Sequence, residues 1–397
     1  MNPWTLTALV VVDLLFLLFC LTKLVRLRKL WAIVTTSVLA VLCLATVLAN
    51  TLIRYGGVNK DWLRMPLRIS AAVAGFLAYL TAGLVIVCLV SGIWWLVTRK
   101  AKPTLRAARA IGDSERLPRL RVVRILTTAV IAGALAATGW GYVHAQSPTL
   151  TYTQIRFADL PPSFEGFTIA LISDLHLNVT IDESWLPGIV AEVNAAKPDL
   201  IVIAGDTANG CLPELESRAS ALAKLRAPYG VLLTLGNHDL TSCPAQWIDR
   251  YTSWGIRVLN NDGLVIERGR ESIWVLGITD RAGKADLKPN LQQAWDRVAA
   301  VAPEEAPLKI LIAHKPVQVK DNDGLAASLG IDLMLSGHTH GGQIWPFGVR
   351  TLLGQPALGG VHVIDGVTVA ISRGVGTSFA GIRVGARPEI PLITLAS

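Results

Sequence analysis

Seven side chains able to hold a hard or borderline metal ion recur in five short motifs. These are Asp174-Leu175-His176, Gly205-Asp206, Gly236-Asn237-His238-Asp239, Ala313-His314 and Gly337-His338-Thr339-His340. The donors are Asp174, His176, Asp206, Asn237, His314, His338 and His340. Five of the chain's seven histidines fall in these motifs, and only His144 and His362 lie outside them. Oxygen and imidazole donors without a thiolate suit Mn, Fe, Zn or Mg better than a structural zinc site. Each motif alone has a plain structural reading: a capped turn, a Gly-Asp turn, a loop whose glycine supplies a positive φ, a hydrogen-bonded histidine. The set together outweighs those readings. Seven donors exceed the needs of one tetrahedral ion and suffice for two ions sharing a carboxylate, with positions left for water and substrate. Two cations about 3.5–4 Å apart clamp the attacking and leaving oxygens of an in-line displacement at phosphorus.

Every motif closes a short apolar run that reads as a strand. The runs are Phe167–Ser173, Leu200–Ala204, Val231–Leu235, Ile273–Ile278, Ile310–Ala313 and Leu333–Leu335. They are almost continuously Val, Ile and Leu, the pattern of strands buried on both faces. Helical stretches at Trp185–Ala196, Glu214–Leu225, Pro244–Trp254 and Leu291–Val301 separate several of them, and Asp365-Gly366 marks a hairpin. This is an α/β domain, and in open α/β sheets sites form beyond the carboxyl ends of strands.

The chain is not an ordinary soluble enzyme. Hydrophobic residues make up 52% and charged residues 17% of its 397 residues. The formal net charge of +8 hides a split: residues 1–144 carry 17 Lys/Arg against four acids, and residues 145–397 carry 20 against 25. The basic excess lies between apolar runs, so nucleic-acid binding is not expected. Four runs, about 4–21, 30–53, 69–97 and 122–143, approach or exceed the roughly 20 residues needed to cross a bilayer. Tryptophans near their ends fit interfacial positions. The loops after the first and third runs hold 13 Lys/Arg and the intervening loop four, which puts those two loops in the cytoplasm. The N-terminus and everything after about residue 144 are then extracytoplasmic. The first run lacks a basic segment before it, unlike a cleaved signal peptide. The expected organisation is a four-helix transmembrane module over 1–144, a linker over 145–164 and a catalytic domain over 165–397.

The ordered motifs resemble the calcineurin-like metallophosphoesterase superfamily over roughly residues 165–397. Within it, "SDLHL", "LSGHTHGGQIWP" and the tail "SRGVGTSFAGIRVGARPEIPLITL" are similar to the YkuE/YaeI-like, membrane-attached bacterial phosphodiesterase branch. The resemblance implies a four-layer αββα sandwich and a binuclear hydrolase, with two divalent or trivalent ions drawn from Mn, Fe or Zn. It assigns Asp174, His176 and His340 to the first metal, Asn237, His314 and His338 to the second, and Asp206 as the bridge. A metal-bridging hydroxide would attack phosphorus, and His238 would serve the leaving oxygen. One departure stands out: where the family often has a second Asp orienting the catalytic His, this chain has Asn209, which keeps only an amide oxygen to accept from a ring N–H. Arg373, Arg383 and Arg387 are candidates for the substrate phosphate, and Asp280 matches an acidic position of the branch. Cys211 and Cys243 each follow a ligand loop by five residues, and an exported domain permits a disulfide between them.

The expected function is therefore a phosphodiesterase acting outside the cytoplasmic membrane on an envelope or lipid-linked phosphate, with membrane lipids as neighbours. The alternatives are a phosphomonoesterase or phosphoprotein phosphatase, and a membrane sensor or transport module with a regulatory phosphoesterase-like domain. Against the last, the apolar runs hold almost no ionisable residue apart from Asp13. Oligomeric state is not legible.

Overall fold

The computed structural model describes residues 15–16, 18–20, 22, 33–41, 44–45, 64–99, 105–302, 306–378 and 380–397. The chain divides into two compact units, Met1–Tyr142 and Val143–Ser397.

In the first unit, α1 (Arg64–Arg99) and α2 (Leu105–Ala145) are long helices. No charged residue interrupts α1 between Arg68 and Arg99. Among the described residues two helices are long and apolar enough to cross a membrane, Arg64–Val97 and Leu120–Ala145. Leu77, Leu80 and Leu84 of α1 cluster with Cys20 and with Ala134 of α2. The expected runs 4–21 and 30–53 lie largely outside the described residues, as does Asp13. The basic stretch expected as a loop is instead the first part of α2, because Leu105–Leu120 is rich in the good helix formers Ala, Arg and Leu.

The second unit holds twelve described strands in two six-stranded sheets. One sheet has the order β1 (Thr149–Arg156), β12 (Glu389–Ala396), β2 (Thr168–Ile172), β3 (Leu200–Ala204), β4 (Val231–Thr234), β5 (Arg257–Val258). Strands β2 to β5 run parallel, and β12 is antiparallel to β2. The other has the order β10 (Gly360–Ile364), β11 (Val367–Ile371), β9 (Leu333–Ser336), β8 (Lys309–Ile312), β7 (Glu271–Gly277), β6 (Asp262–Arg268). Its inner four strands are parallel, and each edge strand is antiparallel to its neighbour.

The period of two in each strand explains the layering. Leu200, Val202 and Ala204 meet Val275, Ile310, Ile312, Leu333 and Leu335 in one core between the sheets. The alternate residues Trp274, Leu276, Leu311 and Met334 meet Leu291, Ala294 and Val298 of α6 (Leu291–Ala299) on the far side. Ile201 and Ile203 are also fully buried, so the first sheet is covered on both faces. Helices α3 (Trp185–Ala195), α4 (Leu212–Ala219) and α5 (Pro244–Ser253) bury one face each, and α7 (Asp321–Ser328) follows β8.

The expected linker 145–164 is not a linker throughout. Its residues 149–156 form β1, paired with β12 over eight residues. Thr-Leu-Thr-Tyr-Thr-Gln-Ile-Arg is β-branched at alternate positions, but only Ile155 is buried, so this edge strand carries little apolar signal.

Candidate metal centre

Five parallel strands, β2, β3 and β4 of one sheet and β8 and β9 of the other, end at one place and deliver the motifs there. Five of the seven candidate donors, Asp174, His176, Asp206, His338 and His340, have positive φ between 46° and 71°. Non-glycine residues adopt that region only when their surroundings hold them in it, and such strain concentrates at functional sites. The loops fit closely. A Cβ on Gly236 would collide with the Asp206 carboxylate, and one on Gly337 would come within 2.5 Å of Asp174 Oδ2.

Each buried carboxylate uses one oxygen for the backbone and offers the other to the centre. His338 N–H donates to Asp174 Oδ2 (2.9 Å), and His238 N–H donates to Asp206 Oδ1 (2.7 Å). Asp174 Oδ1 then lies 3.9 Å from His176 Nε2 and 3.5 Å from His340 Nε2. Asp206 Oδ2 lies 3.7 Å from His176 Nε2 and 3.1 Å from His314 Nε2. Ring nitrogens face one another: His176 Nε2 and His340 Nε2 are 2.9 Å apart, and His338 Nδ1 and His314 Nε2 are 3.1 Å apart. Three groups of ligand atoms within 4.8 Å result: Asp174, His176 and His340; His176, Asp206 and His238; Asp206, His314 and His338.

These donors fit metal ions. Asp174 Oδ1 and Asn237 Oδ1 are buried without a hydrogen-bond partner, which is costly for groups that a cation would satisfy. Burial pushes the His338 and His340 imidazoles down, His338 to about 2, so both rings are neutral and offer lone pairs. Burial raises the Asp174 carboxyl. For Asp206 burial acts the same way, but His314 outweighs it and holds the carboxyl well below the usual range. His314 is the reciprocal case: burial lowers it, the Asp206 charge overrides that, and it reaches about 10. Its Nδ1–H donates to Ala204 O (2.8 Å), fixing Nε2 towards Asp206.

Residues 167–342 match the family model of the calcineurin-like phosphoesterases. The chain is 30% identical over 299 residues to the uncharacterized metallophosphoesterase YkuE of Bacillus subtilis (strain 168), covering 71% of this chain and 99% of that protein. The chain belongs to the calcineurin-like metallophosphoesterase family. Two transmembrane proteins with a metallophosphoesterase domain are also similar. That of Danio rerio is 31% identical, over 70% of this chain and 63% of its own length. That of Bos taurus is 30% identical, over 73% and 66%. The match therefore spans a little under two thirds of the length of those two relatives.

In this metallophosphoesterase the residues around the donors take places that spacing alone does not give. Asn209, expected to orient His238, instead meets His176: its Oδ1 accepts from Nδ1–H at 3.0 Å. A parallel bridge between Leu177 and Ala208, with Asn209 N–H donating to Leu177 O (2.8 Å), aligns the two loops and produces that pairing. Asp239 is fully buried and turned to the backbone. Its carboxylate accepts from Thr207, Ala208 and Gly236 N–H at 2.9–3.0 Å, locking the second ligand loop to the third. His238 stands edge-on to His176, with ring centroids 4.7 Å apart.

The three arginines separate. Arg383 is fully buried and donates to the carbonyls of Gly374, Gly376, Arg373 and His340, with His340 Nδ1 3.2 Å from Nη2. It clamps the tail to the His340 loop, and its guanidinium is turned to these carbonyls. Arg373 pairs with Glu389 at 2.9 Å, and Arg387 is exposed. Buried Asp280 pairs with Lys315, next to His314, at 2.8 Å. Sequence reasoning singled out the acid but not the lysine, although Lys315 adjoins a donor. Cys211 and Cys243 are joined in a disulfide with Cα atoms 5.2 Å apart.

Proposed function

We propose that the chain is a membrane-held, metal-dependent phosphodiesterase working on an envelope or lipid-linked phosphate at the extracytoplasmic surface. The observation that carries the reading is Asp206: its Oδ2 faces an imidazole of each half of the centre, 3.1 Å from His314 Nε2 and 3.7 Å from His176 Nε2. A shared carboxylate between two imidazole-rich clusters is what a two-ion centre needs. Asp174, His176 and His340 would hold one ion, Asn237, His314 and His338 the other, and Asp206 both. Two such cations, Mn, Fe or Zn, would make water a nucleophile at neutral pH and neutralise charge on the phosphoryl oxygens. The chain's own groups do the remaining work. His238, beside the cluster and half-buried, donates a proton or hydrogen bond to the leaving oxygen. Asn209 holds His176 with Nε2 facing the centre, and Asp239 fixes the loop that presents Asp206.

Membrane attachment is supported by the two long apolar helices and by relatives named as transmembrane proteins. We extend this to a four-helix module up to about residue 144, with the N-terminus and the catalytic domain outside, on the strength of the Lys/Arg asymmetry. Membrane lipids and a phosphoester are the expected partners, and nucleic acid is not one.

The test is turnover by the full chain in detergent with Mn²⁺, using an aryl phosphate diester and the matching monoester, with Asp206→Asn as control. Faster diester hydrolysis that the substitution abolishes supports the reading. Monoester turnover alone replaces it with a phosphomonoesterase. Metal binding without turnover of either points to a sensor domain.

A further inference from the structure

The segment that follows His340 carries the largest concentration of exposed apolar side chains in the second unit. Trp345 is 67% exposed, Phe347 42%, Val349 58%, Leu352 47% and Leu353 88%. Water-facing apolar residues that cluster in this way mark a surface made for contact. The segment is not a loose loop. Gln343 Nε2 donates to Ala380 O (2.7 Å), Trp345 N–H donates to Val384 O (2.8 Å), and Gly348 N–H donates to Ile344 O (3.0 Å). Gly348 packs so closely on Gly342 that any side chain at 348 would strike the backbone there. Phe347–Leu353 then forms a 3-10 turn on this fixed base. The inner side of the same segment walls a cavity of about 470 Å³, where Phe347, Arg350 and Thr351 face His338 and His340.

We propose that Trp345–Leu353 is a wedge that enters the interfacial layer of the lipid bilayer and sets the metal centre over a phospholipid headgroup. The inference rests on the phosphoester-hydrolase reading above for its substrate, but not for the insertion itself. Three observations select a bilayer as the occupant. Among the described residues the chain has two helices long and apolar enough to cross a membrane. The last of them ends at Ala145 and β1 starts at Thr149, so Gln146, Ser147 and Pro148 are the whole connection, a reach of at most about 14 Å. The composition is interfacial: aromatic and aliphatic residues for the acyl boundary, and exposed Arg350 for anionic headgroups, placed where it also lines the cavity. A diester phosphate at headgroup depth would meet Arg350 on one side and the histidines on the other.

The experiment uses the full chain in nanodiscs of phosphatidylglycerol and phosphatidylethanolamine. An environment-sensitive fluorophore is attached at Leu353→Cys, with Val301→Cys as the exposed control, in a background of Cys20→Ala, Cys43→Ala and Cys88→Ala. Quenching by shallow doxyl lipids at 353 and not at 301 is expected. A label at 353 that only aqueous iodide quenches overturns the proposal and leaves the patch to a protein partner. Equal doxyl quenching at both sites overturns it as well, since it makes contact non-specific. A second arm keeps the native cysteines and tests Leu352→Ser with Leu353→Ser. We expect kcat/KM for phosphatidylglycerol in the disc to fall about tenfold and that for a soluble aryl diester to change less than twofold. Equal effects on both substrates overturn the wedge. Absence of hydrolysis by the unsubstituted chain would instead sink the hydrolase reading, and the quenching arm would still decide the insertion.

Discussion

The amide oxygen of Asn209 sits 3.0 Å from Nδ1 of His176 and so decides which nitrogen of that ring carries the proton. With Nδ1 as donor, the lone pair of Nε2 points to Asp174, Asp206 and His340. Partners of this kind typically contribute about 10–100-fold to metal affinity. Asn209→Ala should therefore weaken Mn²⁺ binding by about that factor, and Asn209→Asp should restore it. Calorimetric titration of the metal-free chain separates the two. Unchanged affinity in the alanine variant would make the contact incidental.

Asn237 offers a buried Oδ1 without a protein partner. Asn237→Ala should cost one of the two ions, so metal analysis after dialysis should fall from about two to about one per chain. Turnover should drop by about a hundredfold or more, since one clamp on the reacting oxygens is gone. Full occupancy in the variant would remove Asn237 from the donor set.

The Asp206–His314 pair gives a pH dependence of definite sign. In the metal-free protein His314 is raised to about 10, above its unfolded value of about 6.5. Its contribution to stability is complete below about pH 6.5 and is lost as pH rises through about 10. Asp206 is lowered, so its contribution is present above about pH 4 and lost on acidification. Thermal melts of the metal-free chain should thus decline from pH 7 to 10. Metal binding must displace the His314 proton, so affinity should rise with pH across the same window. A flat affinity profile would contradict the ion pair.

Arg383 should matter for folding rather than for substrate. Arg383→Ala leaves the carbonyls of Arg373 and Gly376 without their donor, a loss of roughly 3 kcal/mol. Denaturant melts should show it. KM for an aryl diester in the surviving folded fraction should stay within about twofold, because the guanidinium faces carbonyls rather than the cavity. A raised KM with unchanged stability would return Arg383 to the phosphate.

The disulfide closes a separation of 32 residues between the loops after β3 and β4. In the chain-entropy picture a loop of that size contributes about 3–4 kcal/mol. Cys211→Ala with Cys243→Ala should lower the melting temperature by several degrees, and reductant should do the same to the unsubstituted chain but not to the variant.

Much of the centre was legible because its donors stand at ends of strands made almost wholly of Val, Ile and Leu. Leu200–Ala204 reads as β3 to the residue, and the other motif strands start or stop within a residue or two. The remainder depends on contacts between loops that spacing does not encode. Asn209 lies three residues after Asp206, yet the ring it reaches belongs to the loop after β2. Arg383 reads from sequence as a candidate for the substrate phosphate, and only the carbonyls of Gly374 and Gly376 folding over it make an interior site for the charge. Strand β1 hid for the opposite reason, since it buries one side chain and shows polar ones.

The first sheet admits β1 only through β12, which lies between it and β2. Thr151 and the Glu389 that its hydroxyl touches are 238 residues apart. At about 5–20 residues per second, on the order of ten to fifty seconds of synthesis separate the two strands. For that interval β1 has an unpaired edge, because the strand that links it to β2 has not yet been made. Closure of this sheet thus waits for β12, and the domain offers chaperones and proteases an open strand for as long as β12 is missing.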